Sequence, residues 1–198
     1  MTEKEKMLAG KVYSCLDSEL TADLNKAKSL CRQYNNLDFS DKPARKAIID
    51  ELLQAEHNEG YCSITPPFWC DYGFNVKVGK NFYSNHNLVI LDCAEVVFGD
   101  NVFVGPNCGF YTAIHPIDAE QRKMGIEYAK PIKVGSDVWF GGGVTVLPGV
   151  TIGDNVVIGA GSVVVKDIPS GVVAVGNPCK PIRKITEADK LDLNNPDI

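Results

Sequence analysis

The sequence contains no long apolar run and only three histidines. No hydrophobic stretch approaches the ~20 residues that a membrane-spanning helix needs. The charged start MTEKEKML is not followed by the apolar segment that marks a signal peptide. The histidines form no cluster with metal-ligand spacing. We therefore predict a cytoplasmic protein without a membrane partner and without a bound metal.

An excess of positive charge is missing as well. The 20 Lys and Arg residues face 25 Asp and Glu residues, and the net charge of −5 gives no reason to expect a nucleic-acid partner. The seven cysteines are odd in number and form no CxxC pair, which indicates free thiols in a reducing compartment. The sequence has no P-loop, no GxGxxG and no GxSxG, so these phosphate-binding and hydrolase signatures are excluded.

Residues 131–166 repeat with a period of six. The period fits neither a helix nor a single strand, and it is typical of a hexapeptide repeat in which three units close one coil of a parallel β-helix. We expect the apolar residue of each unit to point inward and the glycine after it to take the tight corner, where a side chain would clash. A glycine-rich sandwich is the alternative interpretation. The apolar positions are Val134, Phe140, Val146, Ile152, Ile158 and Val164, and glycine follows at 135, 141, 153 and 159.

The same pairs of residues recur earlier in the chain, at Val78-Gly79, Phe98-Gly99 and Val104-Gly105. Gly105 and Gly135 lie five periods apart, although residues 111–131 lose the pattern. We therefore predict that residues 111–131 form a loop extruded from one corner of the coil, a position in which functional residues are common. The twenty residues from Gly79 to Gly99 are not a multiple of six and indicate a small insertion.

The sequence divides into three parts. Residues 1–60 have an apolar stripe at helical spacing, and we expect this helical segment to cover one end of the solenoid. Asp17 is a candidate helix cap, Asp41 with Pro43 starts a further helix, and Gly60 ends it. Residues 61–185 form the β-helix domain, which the chain begins to leave at residue 167. Residues 186–198 form a tail with a short helix capped by Thr186.

Few residues suggest chemistry on their own. His115 lies in the extruded loop and can exchange protons near neutral pH, although a surface loop histidine is the simpler interpretation. The cations Lys166, Lys180 and Arg183 suit a phosphorylated ligand, and a solvated basic tail fits them equally well.

Long ordered segments resemble the maltose and galactoside O-acetyltransferases. The resemblance covers nearly the whole chain and implies a mainly β fold, a left-handed parallel β-helix with an N-terminal α-helical segment. It also implies a homotrimer with active sites between subunits, acetyl-CoA as the donor and a sugar hydroxyl as the acceptor. The segments are CDYGFNVKVGKNFYSNHNLVILD, GPNCGFYTAIHPID, residues 131–169 and VAVGNPCKPIRKI.

The same resemblance assigns roles to individual residues. His115 would be the general base, and Asn85 would stabilise the tetrahedral state. Residues that would contact the sugar acceptor are Asp17, Asp71, Tyr83, Asn85, Asp92 and Glu127. Residues that would bind CoA are Trp139, Gly142, Ala160, Val165, Lys166, Lys180 and Arg183.

Five residues depart from the family pattern. Val165 and Lys180 replace a Thr and an Arg on the CoA side, changes that leave CoA binding workable. Leu24, Cys93 and Glu127 lie where relatives carry other acceptor-site residues, so the acceptor is not fixed as maltose or a galactoside. Two alternatives stay open, an acetyltransferase for a non-sugar acceptor and a non-catalytic trimeric solenoid subunit. A solenoid carbonic anhydrase is excluded, because it needs three histidine ligands for zinc and only His86 and His115 lie in the predicted solenoid.

Overall fold

A computed structural model describes residues 1–54 and 62–193, so the predicted helix end at Gly60 lies outside the described residues. The chain forms a solenoid of about six coils, a parallel β-helix as predicted, with helices before it. Within the described ranges, no helix is long and apolar enough to cross a bilayer. The helices are α1 Glu3–Leu8, α2 Ser18–Asn36, α3 Lys42–Leu53 and α4 Ala119–Lys123, with a 3-10 helix at Glu187–Asp189.

Three parallel sheets form the faces of the solenoid. Face one contains β2 Cys62–Ile64, β5 Phe82–Ser84, β8 Phe103–Val104, β13 Val138–Phe140, β16 Val156–Ile158 and β18 Val172–Val175. Face two contains β3 Phe68–Cys70, β6 Leu88–Leu91, β9 Gly109–Tyr111, β14 Thr145–Val146 and β17 Val163–Val164. Face three contains β4 Val76–Val78, β7 Val96–Phe98, β12 Ile132–Val134 and β15 Thr151–Ile152.

The corners between the faces are named in chain order. The first corner joins faces one and two, the second joins faces two and three, and the third joins face three to face one of the next coil. The loop that the sequence predicts leaves the second corner and contains β10 Ala113–Ile114, α4 and β11 Ile126–Ala129. A separate antiparallel sheet joins β10 and β11 to β1 Tyr13–Ser14 near the N-terminus.

The apolar residues of the hexapeptide repeat form the core. Val134, Phe140 and the later members of the series are at most 4% exposed, as the period of six predicts. Phenylalanine rings from successive coils stack along the axis, with centroids 4.9 Å apart for Phe98 and Phe110 and 5.2 Å apart for Phe110 and Phe140. Such edge-to-face contacts add about 0.5–1.5 kcal/mol each beyond the buried area.

The repeat glycines lie at corners where a side chain would clash, as predicted. A Cβ atom on Gly99 would lie 2.7 Å from the backbone carbonyl carbon of Gly135 in the next coil, so glycine permits the close approach of two coils. The left-handed turn is made two residues later, by Asn101 with φ 56° and by Asp137 with φ 59°. The Asn101 amide also donates a hydrogen bond of 2.9 Å to Asp137, which links the third corners of adjacent coils.

The N-terminal part is less regular than predicted. Strand β1 separates α1 from α2, and three residues of the predicted apolar stripe, Leu8, Val12 and Leu16, are exposed. Helices α2 and α3 bury their apolar faces against the first coil. This position covers strand edges that would otherwise lack hydrogen-bond partners.

Side chains of the helices also bond directly to the backbone of the first coil. The Asn35 amide accepts from the Phe68 N–H at 2.8 Å and donates to the Phe68 carbonyl at 3.0 Å. Arg45 donates to the Ile64 carbonyl at 2.7 Å. The Tyr34 hydroxyl donates to the same carbonyl. Polar side chains therefore replace the coil that would precede the first one.

The chain leaves the solenoid later than predicted. Ile168 pairs with Ile152, and β18 pairs in parallel with β16, so the coil continues to residue 175. Strand β19 Lys180–Lys184 then folds back antiparallel on β18 and ends face one. Thr186 donates its N–H to Asp189 at 2.8 Å at the start of the 3-10 helix.

We expect Asn35→Ala to lower the free energy of unfolding by about 1–3 kcal/mol, because it leaves the Phe68 N–H and carbonyl without partners. Chemical denaturation measures the change. Asn36→Ala is the matched control, since this exposed neighbour is also in α2, and its cost should stay within about 0.5 kcal/mol. Equal effects of the two substitutions would contradict the proposed capping role.

Candidate active site

The two-residue insertions and the extruded loop of the described coils all lie at the second corner. From Ile90 to Phe98 the chain advances eight residues where the regular repeat uses six, which confirms the predicted insertion. An insertion of the same length occurs one coil earlier, between Cys70 and Val78. In the third coil the extruded loop leaves from this position. Three successive coils therefore provide irregular backbone at one place.

A second, smaller hydrophobic core fixes the loop over this corner. It joins α1, β1 and α2 to the inserted residues and to β11. Its buried members are Met7, Tyr13, Leu20, Tyr72, Cys93 and Ala129. Because the loop packs on both sides, its two strands have defined positions, and His115 follows directly after β10.

His115, Glu127 and Tyr13 form a connected group. The Nε2 atom of His115 lies 3.4 Å from Glu127 Oε1, and the Tyr13 hydroxyl donates to Glu127 Oε2 at 2.6 Å. The His115 side chain is 56% exposed, whereas that of Glu127 is 11% exposed. Burial, with help from nearby Cys93 and Glu127, raises the pKa of Tyr13 far above its usual value, so its hydroxyl remains a donor.

This arrangement can orient a base. A carboxylate that accepts from one imidazole nitrogen fixes the ring and leaves the other nitrogen to take a proton. The Tyr13 hydroxyl in turn fixes the carboxylate of Glu127. Sequence reasoning missed Tyr13, because its contact with Glu127 spans 114 residues and no local motif marks it.

Asp92 is completely buried at the corner. Its Oδ1 accepts from the N–H groups of Asp71 and Tyr72 at 3.0 and 2.9 Å, and its Oδ2 accepts from the Gly73 N–H at 2.7 Å. Burial raises the pKa of Asp92 to about 6, although the backbone hydrogen bonds oppose this. Its contacts therefore hold the inserted turn of the preceding coil, which presents Asp71.

Asp71 is the half-buried carboxylate of this turn. Burial raises its pKa, Lys28 lowers it and Glu127 raises it again. The Cys93 thiol lies 3.9 Å from Asp71 Oδ2, and burial raises the thiol pKa, so it stays neutral. The carboxylates of Asp71 and Glu127 make the region beside His115 acidic, and this region is called the acidic pocket below.

Asp17 and Leu24 border the same region. Asp17 caps α2, since its Oδ1 accepts from the Glu19 and Leu20 N–H groups at 2.9 and 3.2 Å. The candidate cap role is therefore observed. Leu24 packs on the edge of the smaller core.

A second group of predicted residues lies elsewhere on the single chain. Asn85, Gly142 and Ala160 are at the first corner, and the Asn85 side-chain oxygen accepts from the His86 N–H at 2.7 Å. Tyr83 and Trp139 point outward from face one, in register through Phe103 between them. Trp139 is 56% exposed. Face two separates this group from His115.

The remaining CoA-side residues are divided between the two groups. Val165 and Lys166 follow β17 at the second corner, on the same corner as His115. Lys180 and Arg183 lie in β19 at the edge of face one. Arg183 makes a double contact with Asp189, at 2.7 and 2.9 Å, and this pairing lowers the pKa of Asp189 to about 2.

The acidic pocket does not form a metal site by geometry. Within residues 1–54 and 62–193, no three His, Cys, Asp or Glu side chains are grouped so as to hold an ion. The second corner offers a base, its carboxylate partner and acceptors for hydroxyl groups.

Two family descriptions match the chain. The maltose acetyltransferase hexapeptide capping motif matches residues 6–56, and the bacterial transferase hexapeptide, with six repeats, matches residues 131–166. These segments correspond to the helical cap and to the regular coils.

Known proteins match over nearly the full length. The Saccharomyces cerevisiae protein YJL218W, named only provisionally as an acetyltransferase, is 52% identical, and the match covers 96% of both chains. The crystal structure of a maltose O-acetyltransferase from Clostridium difficile 630 is 49% identical with a TM-score of 0.90, over 94% of this chain and 99% of that one. A galactoside acetyltransferase in complex with coenzyme A is 40% identical with a TM-score of 0.87, over 96% of this chain and 94% of that one.

The buried Asp92 predicts a pH-dependent stability. Its folded pKa of about 6 lies above the ordinary 3.8, so the folded state binds this proton more tightly than the unfolded state does. The wild type should therefore gain up to about 3 kcal/mol relative to Asp92→Asn as the pH falls from about 7 to about 4. Urea denaturation of both proteins across this range measures the difference, and a difference independent of pH would contradict the assignment.

Proposed function

Since this chain belongs to the maltose and galactoside acetyltransferases of the hexapeptide-repeat family, we propose that it transfers the acetyl group of acetyl-CoA to a sugar hydroxyl. The observation that carries this proposal is the group formed by His115, Glu127 and Tyr13 at the second corner. It supplies an oriented base beside carboxylates that can accept hydrogen bonds from sugar hydroxyls.

His115 acts as the general base in this proposal. It takes the proton of the acceptor hydroxyl while that oxygen attacks the thioester carbonyl, and the proton then passes to the leaving thiolate of CoA. Glu127 holds the imidazole and stabilises its positive charge during the transfer. The Asn85 amide donates to the carbonyl oxygen as negative charge develops there.

The acceptor lies in the acidic pocket. Asp71 and Glu127 accept hydrogen bonds from its hydroxyl groups, with Asp17 and Tyr83 as further predicted contacts. Asp92 contributes indirectly, because backbone N–H groups already occupy its two oxygens. The neutral Cys93 and the apolar Leu24 offer no charge at two positions where relatives have polar groups, which supports an acceptor other than maltose or a galactoside.

A trimer completes the site in this proposal. Hexapeptide-repeat acetyltransferases are generally trimeric, and the single chain keeps His115 and Asn85 on different corners. The second corner of one subunit therefore faces the first corner and face one of its neighbour. Pantetheine runs beside Gly142 and Ala160, and the Trp139 side chain covers the thioester.

The CoA phosphates meet basic side chains in this arrangement. Lys166 projects from the second corner, and Lys180 and Arg183 from β19. Charge-assisted hydrogen bonds from these groups suit phosphate oxygens. The Arg183 guanidinium would contact both a phosphate and the carboxylate of Asp189, with which it already pairs.

We expect His115→Ala to lower the rate of acetyl transfer by about 10²–10⁴, the usual contribution of a positioned base. The measurement is CoA release from acetyl-CoA with a panel of sugars. Calorimetry with CoA is the control, because the substitution should leave CoA affinity unchanged. Near-normal turnover in the variant would exclude the mechanism, and a panel without any active sugar would point to a different acceptor.

A shared site also predicts rescue between inactive variants. His115→Ala and Asn85→Ala subunits are unfolded together in equal amounts and refolded as a mixture. About a quarter of wild-type activity should return, because at a quarter of the interfaces an intact His115 of one subunit meets an intact Asn85 of its neighbour. Each variant refolded alone is the control. If one chain supplied both residues to the same site, the mixture would show no recovery.

A further inference from the structure

An open cleft of about 370 Å³ lies between α2 and face two. It has no role in the site described above. The residues that line it are Asn25, Lys28, Ser29, Arg32 and Trp69. Its volume falls at the low end of the ~300–1,000 Å³ that small-molecule sites occupy.

The cleft combines a large exposed ring with two cations. Trp69 points outward from β3 and is 41% exposed, while its neighbours Phe68 and Cys70 are buried. Lys28 and Arg32 are four residues apart on one side of α2, so both face the cleft. Neither cation makes an ion pair with another residue in the part of the chain that the structure describes.

The cleft lies next to Asp71 along the chain. Trp69 is in β3, and Asp71 follows two residues later, just past the end of that strand, so the extended chain directs both side chains to the same side. Lys28 acts on both regions, since its charge lowers the pKa of Asp71. The order along the surface is therefore Arg32, Lys28, Asp71, Glu127 and His115.

This order separates two kinds of recognition. Carboxylates surround His115, where they suit the hydroxyl groups of a neutral ring. Lys28 and Arg32 suit an anionic group, and the indole of Trp69 offers an apolar surface to the atoms that connect the two. The cations are notable in a chain with a net charge of −5.

We propose that this cleft is a second acceptor subsite, which binds the anionic end of an acceptor whose neutral sugar ring lies at Asp71 and His115. The proposal rests on the sugar acetyltransferase function proposed above and specifies its substrate class. The acceptor is a sugar of two units, or a glycoside, with a carboxylate or another anionic group on the unit remote from the acetylated hydroxyl.

Two glucosyl compounds test the subsite by kinetics. Maltobionate and maltitol share the glucosyl ring, and they differ where one has a carboxylate and the other a primary alcohol. We expect kcat/KM for acetylation of maltobionate to exceed that for maltitol by about tenfold. In the double variant Lys28→Gln, Arg32→Gln, kcat/KM should become about equal for the two compounds, and kcat/KM for maltitol should stay at its wild-type value.

Lys26→Gln is the matched control, because Lys26 is also on α2 but pairs with Glu51 away from the cleft. This variant should keep the preference for maltobionate. A wild type that does not distinguish the two compounds would overturn the proposal. A preference that survives in the Lys28 and Arg32 double variant would overturn it as well.

Binding separates failure of the subsite from failure of the enzyme function. The chain has two tryptophans, so Trp139→Phe leaves Trp69 as the only indole fluorophore. Maltobionate should change its fluorescence with saturation, maltitol should do so only at about tenfold higher concentration, and the two glutamines should abolish the difference. If the wild type acetylates neither compound but the fluorescence shows this pattern, the proposed reaction fails and the subsite stands. If the two compounds titrate alike, the subsite is wrong whatever the activity.

Discussion

The close contact between successive coils is the constraint on which the rest of this structure depends. Each coil bonds to the next through its backbone, and the glycines let two corners approach to a distance that no side chain permits. Because strands in adjacent coils are held in register, extra residues can be accommodated only at a corner. The two-residue insertion accordingly occurs twice at the second corner, and the loop leaves from the same corner in the third coil. The repeat thus confines irregular backbone, and with it the candidate chemistry, to one edge.

That edge is then fixed by groups from distant parts of the chain. The buried carboxylate of Asp92 holds the turn below it, and β1 extends the sheet of the loop. Tyr13 reaches Glu127 from the N-terminal segment, so the helical cap and the base belong to one structural unit. The cap consequently does more than cover the first coil, since its second helix also forms a wall of the cleft beside Trp69.

Sequence reasoning recovered what the repeat encodes. The period of six placed the core residues from Val134 to Val164 correctly, and the loss and return of phase located the extruded loop that contains His115. Contacts between distant segments were beyond its reach, as Tyr13 with Glu127 shows. It expected the repeat glycines where a side chain would clash, as Gly99 confirms, but it did not place the left-handed residue of the turn at Asn101. In the proposed mechanism the acceptor and CoA residues come together across a subunit interface, an arrangement that no local pattern of a single sequence encodes.

The antiparallel strand β19 has a consequence for assembly. A parallel solenoid could in principle grow without limit, since each last coil is a template for another chain. Here β19 pairs with β18, and the turn before it bonds to β17, where Val163 donates to the Gly176 carbonyl and Cys179 donates to the Val163 carbonyl. With Asn35 and Arg45 closing the opposite end, the described chain covers strand edges at both ends of the stack. Fibre-like growth along the axis is thereby blocked at these edges. The surfaces left for contact with another chain are the three faces and the corners of the solenoid.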